Sequence, residues 1–308
     1  MKIHGVEIDD TFAEAFDMKA TRVVITAAEP EWARRAAESM IGFGTSVIGC
    51  GAEVGIERML GPEETPDERP GVAVLLFAVS GKELEKQLVR RVGQCVLTCP
   101  STSIFAGIDA DKTIALGSHV RYFGDGRQIA KRLGRRRFWR VPVMDGEFVC
   151  EDRVGRVDAV GGGNFIVLAE TIRGALLACD AAVEAIRTVP QAIAPFPGGV
   201  ARSGSKVGSK YKALRASTNE AFCPTLSHLA GSQIAPGITA SLELVIDALT
   251  AEAIAESMRV GILAACEAGS GCGVRQITGG NYGGKLGRHH FRLRELFAGD
   301  ASATGCRT

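Results

Sequence analysis

Apolar and polar positions repeat the same grammar in the two halves of the chain: a β-branched run, a stripe of apolar residues three or four apart, and a second run. In the first half, residues 22–27 predict a strand, and Glu29-Pro30-Glu31-Trp32 opens a helix with Pro30 suited to its first position. Trp32, Ala36 and Met40 recur every four residues, and Gly42 is a natural stop. Residues 46–50 read as a strand leading into a glycine-bearing turn, and residues 72–79 as another. Ser80 and Glu83 have capping-box spacing, and Leu84, Leu88, Val92 and Cys95 continue a helical stripe.

The second half matches. Residues 164–169 form its first strand; Ile172, Leu176, Cys179, Val183 and Ile186 then step 4, 3, 4, 3 along one helical face. Residues 191–196 run into Pro197-Gly198-Gly199, and residues 241–247 precede a stripe of Ile254, Met258, Ile262 and Ala265. Between the halves, residues 112–149 read as short strands and turns, and residues 201–239 as an insertion rich in Gly, Ser and Lys. The repeat predicts two similar α/β lobes split near residue 155, an N-terminal lobe of residues 1–155 and a C-terminal lobe of residues 156–308.

Composition narrows the class. With 46% hydrophobic and 23% charged residues over 308 positions, the chain has material for a substantial core. A formal charge of +1 implies no broad nucleic-acid surface. No signal peptide or membrane-length apolar stretch is visible, and nine scattered cysteines fit reduced thiols, so a cytoplasmic protein is expected.

The usual catalytic signatures fail: there is no Gly-x-Ser-x-Gly elbow and no Gly-x-Gly-x-x-Gly between a strand and a helix. Gly279-Gly280-Asn281-Tyr282-Gly283-Gly284-Lys285-Leu286 nearly spells a phosphate loop, but Leu286 stands where Ser or Thr belongs. A tight turn whose backbone lines a pocket is the plainer reading. His289-His290 lacks partners at metal spacing, and Cys95 sits on an apolar stripe. Arg135, Arg136 and Arg137 lie in the most basic run, either a solvated hairpin flank or a dock for an acidic cofactor tail or partner. Ser203, Ser205 and Lys206 belong to a segment that is either a flexible loop or an anion-binding one. Asn219 and Asn164 are further polar groups beside looped segments. Glu243 is the carboxylate that stands out, in Ser241-Leu242-Glu243-Leu244-Val245-Ile246-Asp247. Strict alternation puts it on one face with Val245 and Asp247, opposite Leu242, Leu244 and Ile246. Either that face is a polar exterior, or Glu243 is buried at a lobe interface with a raised pKa suited to proton transfer near neutrality.

Taken together, several long strings in one order resemble the formylmethanofuran–tetrahydromethanopterin formyltransferases over nearly the whole chain. They include Asp10-Thr11-Phe12-Ala13-Glu14-Ala15-Phe16, Gly93-Gln94-Cys95-Val96-Leu97-Thr98-Cys99-Pro100 and Val141-Pro142-Val143-Met144-Asp145-Gly146-Glu147-Phe148. Pro195-Phe196-Pro197-Gly198-Gly199, Ser203-Gly204-Ser205-Lys206-Val207-Gly208 and Gly280-Asn281-Tyr282-Gly283-Gly284-Lys285-Leu286-Gly287 complete the set. The resemblance implies an α+β fold of two similar lobes, each a mainly antiparallel sheet flanked by helices in a ferredoxin-like α/β sandwich. It implies a homo-oligomer, a tetramer, with clefts near subunit contacts. It also implies formyl transfer between N5 of (dephospho)tetrahydromethanopterin and the amine of methanofuran or methylofuran, with no metal and no permanently bound cofactor. The family's reacting-centre glutamate corresponds to Glu243, and Asn281, Tyr282 and Lys285 join Ser203, Ser205, Lys206 and Asn219 as expected carrier-binding residues.

The balanced charge looks more like the bacterial, methylotroph-type relatives than the acidic archaeal ones. Those relatives serve formaldehyde oxidation to formate inside a complex with amidohydrolase-like hydrolase subunits. Two rivals stay open on the sequence: a non-catalytic organising subunit, and a covalent acyltransferase using Cys95, Cys99 or Cys223.

Overall fold

The β-branched run before Pro30 extends further back than its apolar residues require. After a short strand β1 (Val6–Ile8), β2 runs from Phe12 to Thr26. The computed structural model describes residues 1–204 and 206–298. They form two compact units: Met18–Ala159, and Met1–Asp17 joined to the chain from Val160 onward.

In the Met18–Ala159 unit, β2 leads through α1 (Pro30–Ile41) to β3 (Glu53–Leu60) and β4 (Gly71–Ala78), then through α2 (Gly81–Arg91) to β5 (Ser103–Ala106). β4 and β5 flank β2 and β3 pairs with β4, all antiparallel, so the order is β3-β4-β2-β5. This is a ferredoxin-like βαββαβ arrangement with its first strand in the middle. The helices cover one face because Ala33, Ala36, Ala37 and Met40, with Leu84 and Leu88, are buried against Val72, Val74 and Leu76. Each large side chain so buried contributes about 1.5–3 kcal/mol. Pro30 occupies the first turn of α1, and Ser80 Oγ accepts the Glu83 N–H at 3.2 Å to cap α2. Trp32, expected on the inward stripe, is exposed, with the Arg35 guanidinium 4.7 Å above its ring. Residues 46–50 are not a strand: Val47–Cys50 is one helical turn, because Ser46 Oγ accepts the Ile48 N–H and left-handed Gly51 ends the turn. Three further strands, β6 (Ile129–Leu133), β7 (Arg136–Val143) and β8 (Gly146–Glu151), pair antiparallel in succession, and β8 runs parallel to β5.

The other unit repeats the plan. β9 (Val157–Ala169), α3 (Ile172–Ile186), the short strands β10 (Ala192–Ile193) and β11 (Val200–Ala201), β12 (Ala240–Ala248), α4 (Ala251–Gly269) and β13 (Val274–Thr278) follow in order. β9 lies between β13 and β12, and β10 and β11 line the far edge of β12, again all antiparallel. The inward face of α3 differs from the sequence expectation. Ile172 and Leu176 are exposed, whereas Ala175, Ala178, Cys179, Ala182, Val183 and Ile186 are buried. Small alanines let α3 approach the sheet and α4 closely, and the larger residues fall outside that contact. Ile254, Met258, Ile262 and Ala265 of α4 are buried as the stripe predicts.

The sequence cut at residue 155 also shifts. β1 pairs in parallel with β13, and residues 12–15 pair antiparallel with β14 (His289–Arg292), so the first 17 residues pack with the second half. Two sequence-distant backbone ladders outweigh chain order here. No helix among the described residues is long and apolar enough to cross a membrane.

Candidate active site

β12 obeys strict alternation. Leu242, Leu244 and Ile246 enter the core beneath α3 and α4, while Glu243, Val245 and Asp247 take the opposite face. That face is covered as well, since Glu243 is only 2% exposed. On the neighbouring strands Glu243 faces Ile166 of β9 and Ala201 of β11. The cover comes from the 201–239 insertion, which packs Phe222 and Ile238 onto Ile166 and Leu168 of β9. Phe222 and Ile238 thus anchor the later part of the insertion to the sheet.

Beside Glu243 the chain passes through Gly280. A β-carbon there would come within 2.9 Å of Asn164 Oδ1 and 3.3 Å of Glu243 Oε1, so any added side chain would press on both. Asn164 grips this point: its Oδ1 accepts the Gly280 N–H at 2.6 Å, and its Nδ2 donates to the Gly280 and Gly162 carbonyls, both at 3.1 Å. Gly162 forms a bulge in β9 with φ +86°, and its N–H donates to Asp247 Oδ1 at 2.9 Å. Asn281 Nδ2 donates to Thr11 Oγ1 and to the Phe12 carbonyl. Glu14, fully buried, accepts backbone N–H groups from Tyr282 at 2.7 Å and Gly284 at 2.9 Å, and from Leu286 and Gly287. Burial pushes the Glu14 pKa up, but those four amides outweigh it and hold the carboxyl below its ordinary range.

Between this loop and the insertion lies a cleft of about 880 Å³, lined among others by Thr11, Lys206, Asn219, Phe222, Asn281 and Tyr282. That volume suits a ligand of drug size or larger. Lys206 is ion-paired with Glu220, which also lines the cleft. The Asn219 N–H donates to the carbonyl of Ser203, an exposed residue, at 2.9 Å. Lys285 is exposed at the loop tip, and Ser205 lies outside the described residues. Of the expected site residues, Lys206, Asn219, Asn281 and Tyr282 therefore share one cleft; Glu243 is not on its lining but lies against Gly280, between the lining residues Gly279 and Asn281.

Arg135, Arg136 and Arg137 belong to the Met18–Ala159 unit, at the β6–β7 turn. They line a shallow depression of about 430 Å³ with Arg132, Arg153 and the carboxylates of Glu151 and Asp152. Arg136 is forked onto Glu151, with Nε at 2.6 Å, while Arg135 and Arg137 are exposed. Among the described residues no group of three His, Cys, Asp or Glu side chains could hold a metal ion. Burial pushes the Cys99 and Cys223 thiols up, with Glu220 adding to the effect at Cys223, the wrong direction for a nucleophile.

Sequence reasoning did not single out Glu14 or Gly280, and weighed Asn164 only as an isolated polar group. The signal for Glu14 was present as a lone carboxylate in Phe12-Ala13-Glu14-Ala15-Phe16, but its partners lie at the other end of the chain.

A family profile described as formylmethanofuran-tetrahydromethanopterin formyltransferase matches residues 1–143, and that of the family's proximal lobe matches residues 146–296. The chain is 59% identical over 298 residues to the formylmethanofuran–tetrahydromethanopterin formyltransferase of Methylococcus capsulatus, covering 97% of this chain and 100% of that one. It is similar to a chain of the formyltransferase/hydrolase complex of Methylorubrum extorquens, crystallised with methylofuran, with a TM-score of 0.93 and 54% identity over 96% of this chain and 98% of that chain. The formyltransferase of Methanosarcina barkeri superposes with a TM-score of 0.90 at 45% identity, covering 96% and 100%. Two profiles spanning nearly all of the sequence, and relatives aligned end to end, lead to one assignment: the chain belongs to the formylmethanofuran–tetrahydromethanopterin formyltransferase family.

Proposed function

We propose that this formyltransferase works by direct attack in a ternary complex, with Glu243 moving the proton between the two carriers. The amine nitrogen of one carrier bonds to the formyl carbon held by the other, giving a tetrahedral oxyanion. Glu243 accepts the proton released by the attacking amine and returns it to the departing nitrogen as the old C–N bond breaks. Holding both carriers in place makes the attack effectively unimolecular, worth several kcal/mol. A well-aimed N–H donor to the oxyanion adds about 3–4 kcal/mol. The observation that carries this reading is the Glu243 carboxyl, 2% exposed beside Gly280, whose neighbours Gly279 and Asn281 line the cleft. The carriers, tetrahydromethanopterin-type and methanofuran-type, act as co-substrates, and no permanently bound cofactor takes part.

Initial rates measured with purified chain, formyl-tetrahydromethanopterin and furan amine, followed by pterin absorbance, are expected to give intersecting double-reciprocal lines. Parallel lines with a trapped formyl-thioester would overturn direct transfer.

Ser203, Ser205, Lys206, Asn219, Asn281, Tyr282 and Lys285 are proposed to contact the carriers, and the Arg135–Arg137 run to dock an acidic carrier tail or subunit. Supporting this, exposed guanidinium groups cluster around the depression near Glu151. Reversing Arg135 and Arg137 to Glu is expected to raise the KM for a glutamate-tailed furan carrier several-fold at low salt and to flatten its salt dependence. Unchanged affinity and salt slope would remove the assignment. In the cell, the chain is proposed to assemble as a homotetramer with hydrolase subunits, serving formaldehyde oxidation to formate. Supporting the hydrolase partners, the relative from Methylorubrum extorquens is a chain of a formyltransferase/hydrolase complex. The eight cysteines among the described residues are all free, which fits a reducing cytoplasm.

A further inference from the structure

The loop at 280–287 is built around an anion that the protein itself supplies. Besides the four N–H groups that converge on the Glu14 carboxylate, the Glu14 N–H donates to the Gly280 carbonyl at 3.2 Å. Gly283 and Gly284 both adopt left-handed φ, +70° and +72°, a turn that aims the N–H groups of Tyr282 and Gly284 at Glu14 while the Gly283 N–H donates to Asn281 Oδ1 at 3.1 Å; with those of Leu286 and Gly287 they form a concave nest. A β-carbon on Gly287 would stand 2.3 Å from the Ala15 carbonyl oxygen, so the loop returns to β2 at closest backbone approach. Without the carboxylate, four amides would face a buried space with no acceptor.

The same segment, residues 11–16, fixes the loop elsewhere. Thr11 and Phe12 receive Asn281, and the Phe16 ring lies 6.0 Å from that of Tyr282. Asn281 and Tyr282 are the two loop side chains that line the cleft, and neither is placed by helix or strand geometry of its own.

We propose that Glu14 is a positioning residue for carrier binding: an internal anion around which the 280–287 loop folds, setting Asn281 and Tyr282 on the cleft wall. It does not touch the substrate and acts through the loop. The inference rests on the reading that the cleft holds a carrier.

The test uses the full chain and three variants, Glu14→Gln, Glu14→Asp and Asn281→Ala, with Tm, kcat and KM for both carriers measured well below each Tm. Glu14→Gln is expected to stay folded, to raise the KM of one carrier tenfold or more and to change kcat less than threefold. Glu14→Asp keeps the charge but reaches fewer amides, so it should fall between that variant and wild type. Asn281→Ala should raise the KM of the same carrier. A wild-type KM in Glu14→Gln beside a raised KM in Asn281→Ala would make Glu14 merely structural and overturn the proposal. If neither variant moves KM, the cleft is not the carrier site and the underlying reading falls with it. Should Glu14→Gln not fold, Glu14→Asp carries the kinetic test. Hydrogen exchange of the wild-type amides of Tyr282, Gly284, Leu286 and Gly287 supplies a second one: strong protection supports the nest, and exchange at exposed-loop rates overturns it.

Discussion

Replacing Glu243 by Gln is expected to lower turnover by ~10²–10⁴-fold while leaving the KM of both carriers within about threefold of wild type. Gln keeps the volume and most of the shape of the side chain but cannot carry the proton. Because Glu243 is held between Ile166 and Ala201 on adjacent strands, the change should leave the backbone where it is. A loss confined to kcat would mark an interaction made in the transition state, whereas a rise in KM alone would mark ordinary binding. Turnover within threefold of wild type would remove Glu243 from the chemistry. Glu243→Asp offers a graded companion: it retains a carboxylate but withdraws it by one methylene, and misplacement on the order of 1 Å costs about 10²-fold.

Gly280→Ala should cut turnover by about 10²-fold with a smaller effect on Tm. The added methyl would meet Asn164 Oδ1 at 2.9 Å and Glu243 Oε1 at 3.3 Å. The Asn164 carboxamide cannot swing aside freely, since it is buried and holds both the N–H and the carbonyl of Gly280. Either the loop lifts or the carboxylate turns, and both disturb the place where the carriers are proposed to meet. Unimpaired kcat in a folded Gly280→Ala protein would show that the Glu243–Gly280 contact has no part in turnover.

Much of the scaffold is readable from local pattern, because strand runs and helix stripes are short-range signals bounded by Pro30, Ser80 and glycine stops. Residues 46–50 mislead because Ser46 and Gly51 are turn-formers at both ends of an apolar tetrad, which makes a capped helical turn as stable locally as a strand. Ile172 and Leu176 mislead for another reason: where two helices pack closely, alanine is the buried residue and bulk is pushed outward. Alternation does put Glu243 on one face with Val245 and Asp247. No property of the Leu242–Ile246 string could reveal that this face is roofed, since the roof is Phe222 and Ile238 of a separate segment. The glycine-rich 279–286 stretch reads as a tight turn whose backbone lines a pocket, and in the fold its amides gather around an anion. Which anion they gather is not legible, because Glu14 meets them only after the chain has returned to its first strand.

The pairing of the opening residues with the closing ones has a consequence for how the molecule is made. On the ribosome, β1 and residues 12–15 at the start of β2 emerge long before β13 and β14, the strands on which they dock. Until β13 and β14 have been made, an apolar segment bearing Val6, Ile8 and Ala13 waits without its permanent neighbours, the kind of exposed edge that chaperones shield. The ladders that join β2 to β8 in the Met18–Ala159 unit all lie within residues 19–151 and can form before β12 appears. The cleft, the nest and the proposed proton carrier all belong to the late-closing unit, so a nascent chain acquires its scaffold first and its chemistry last.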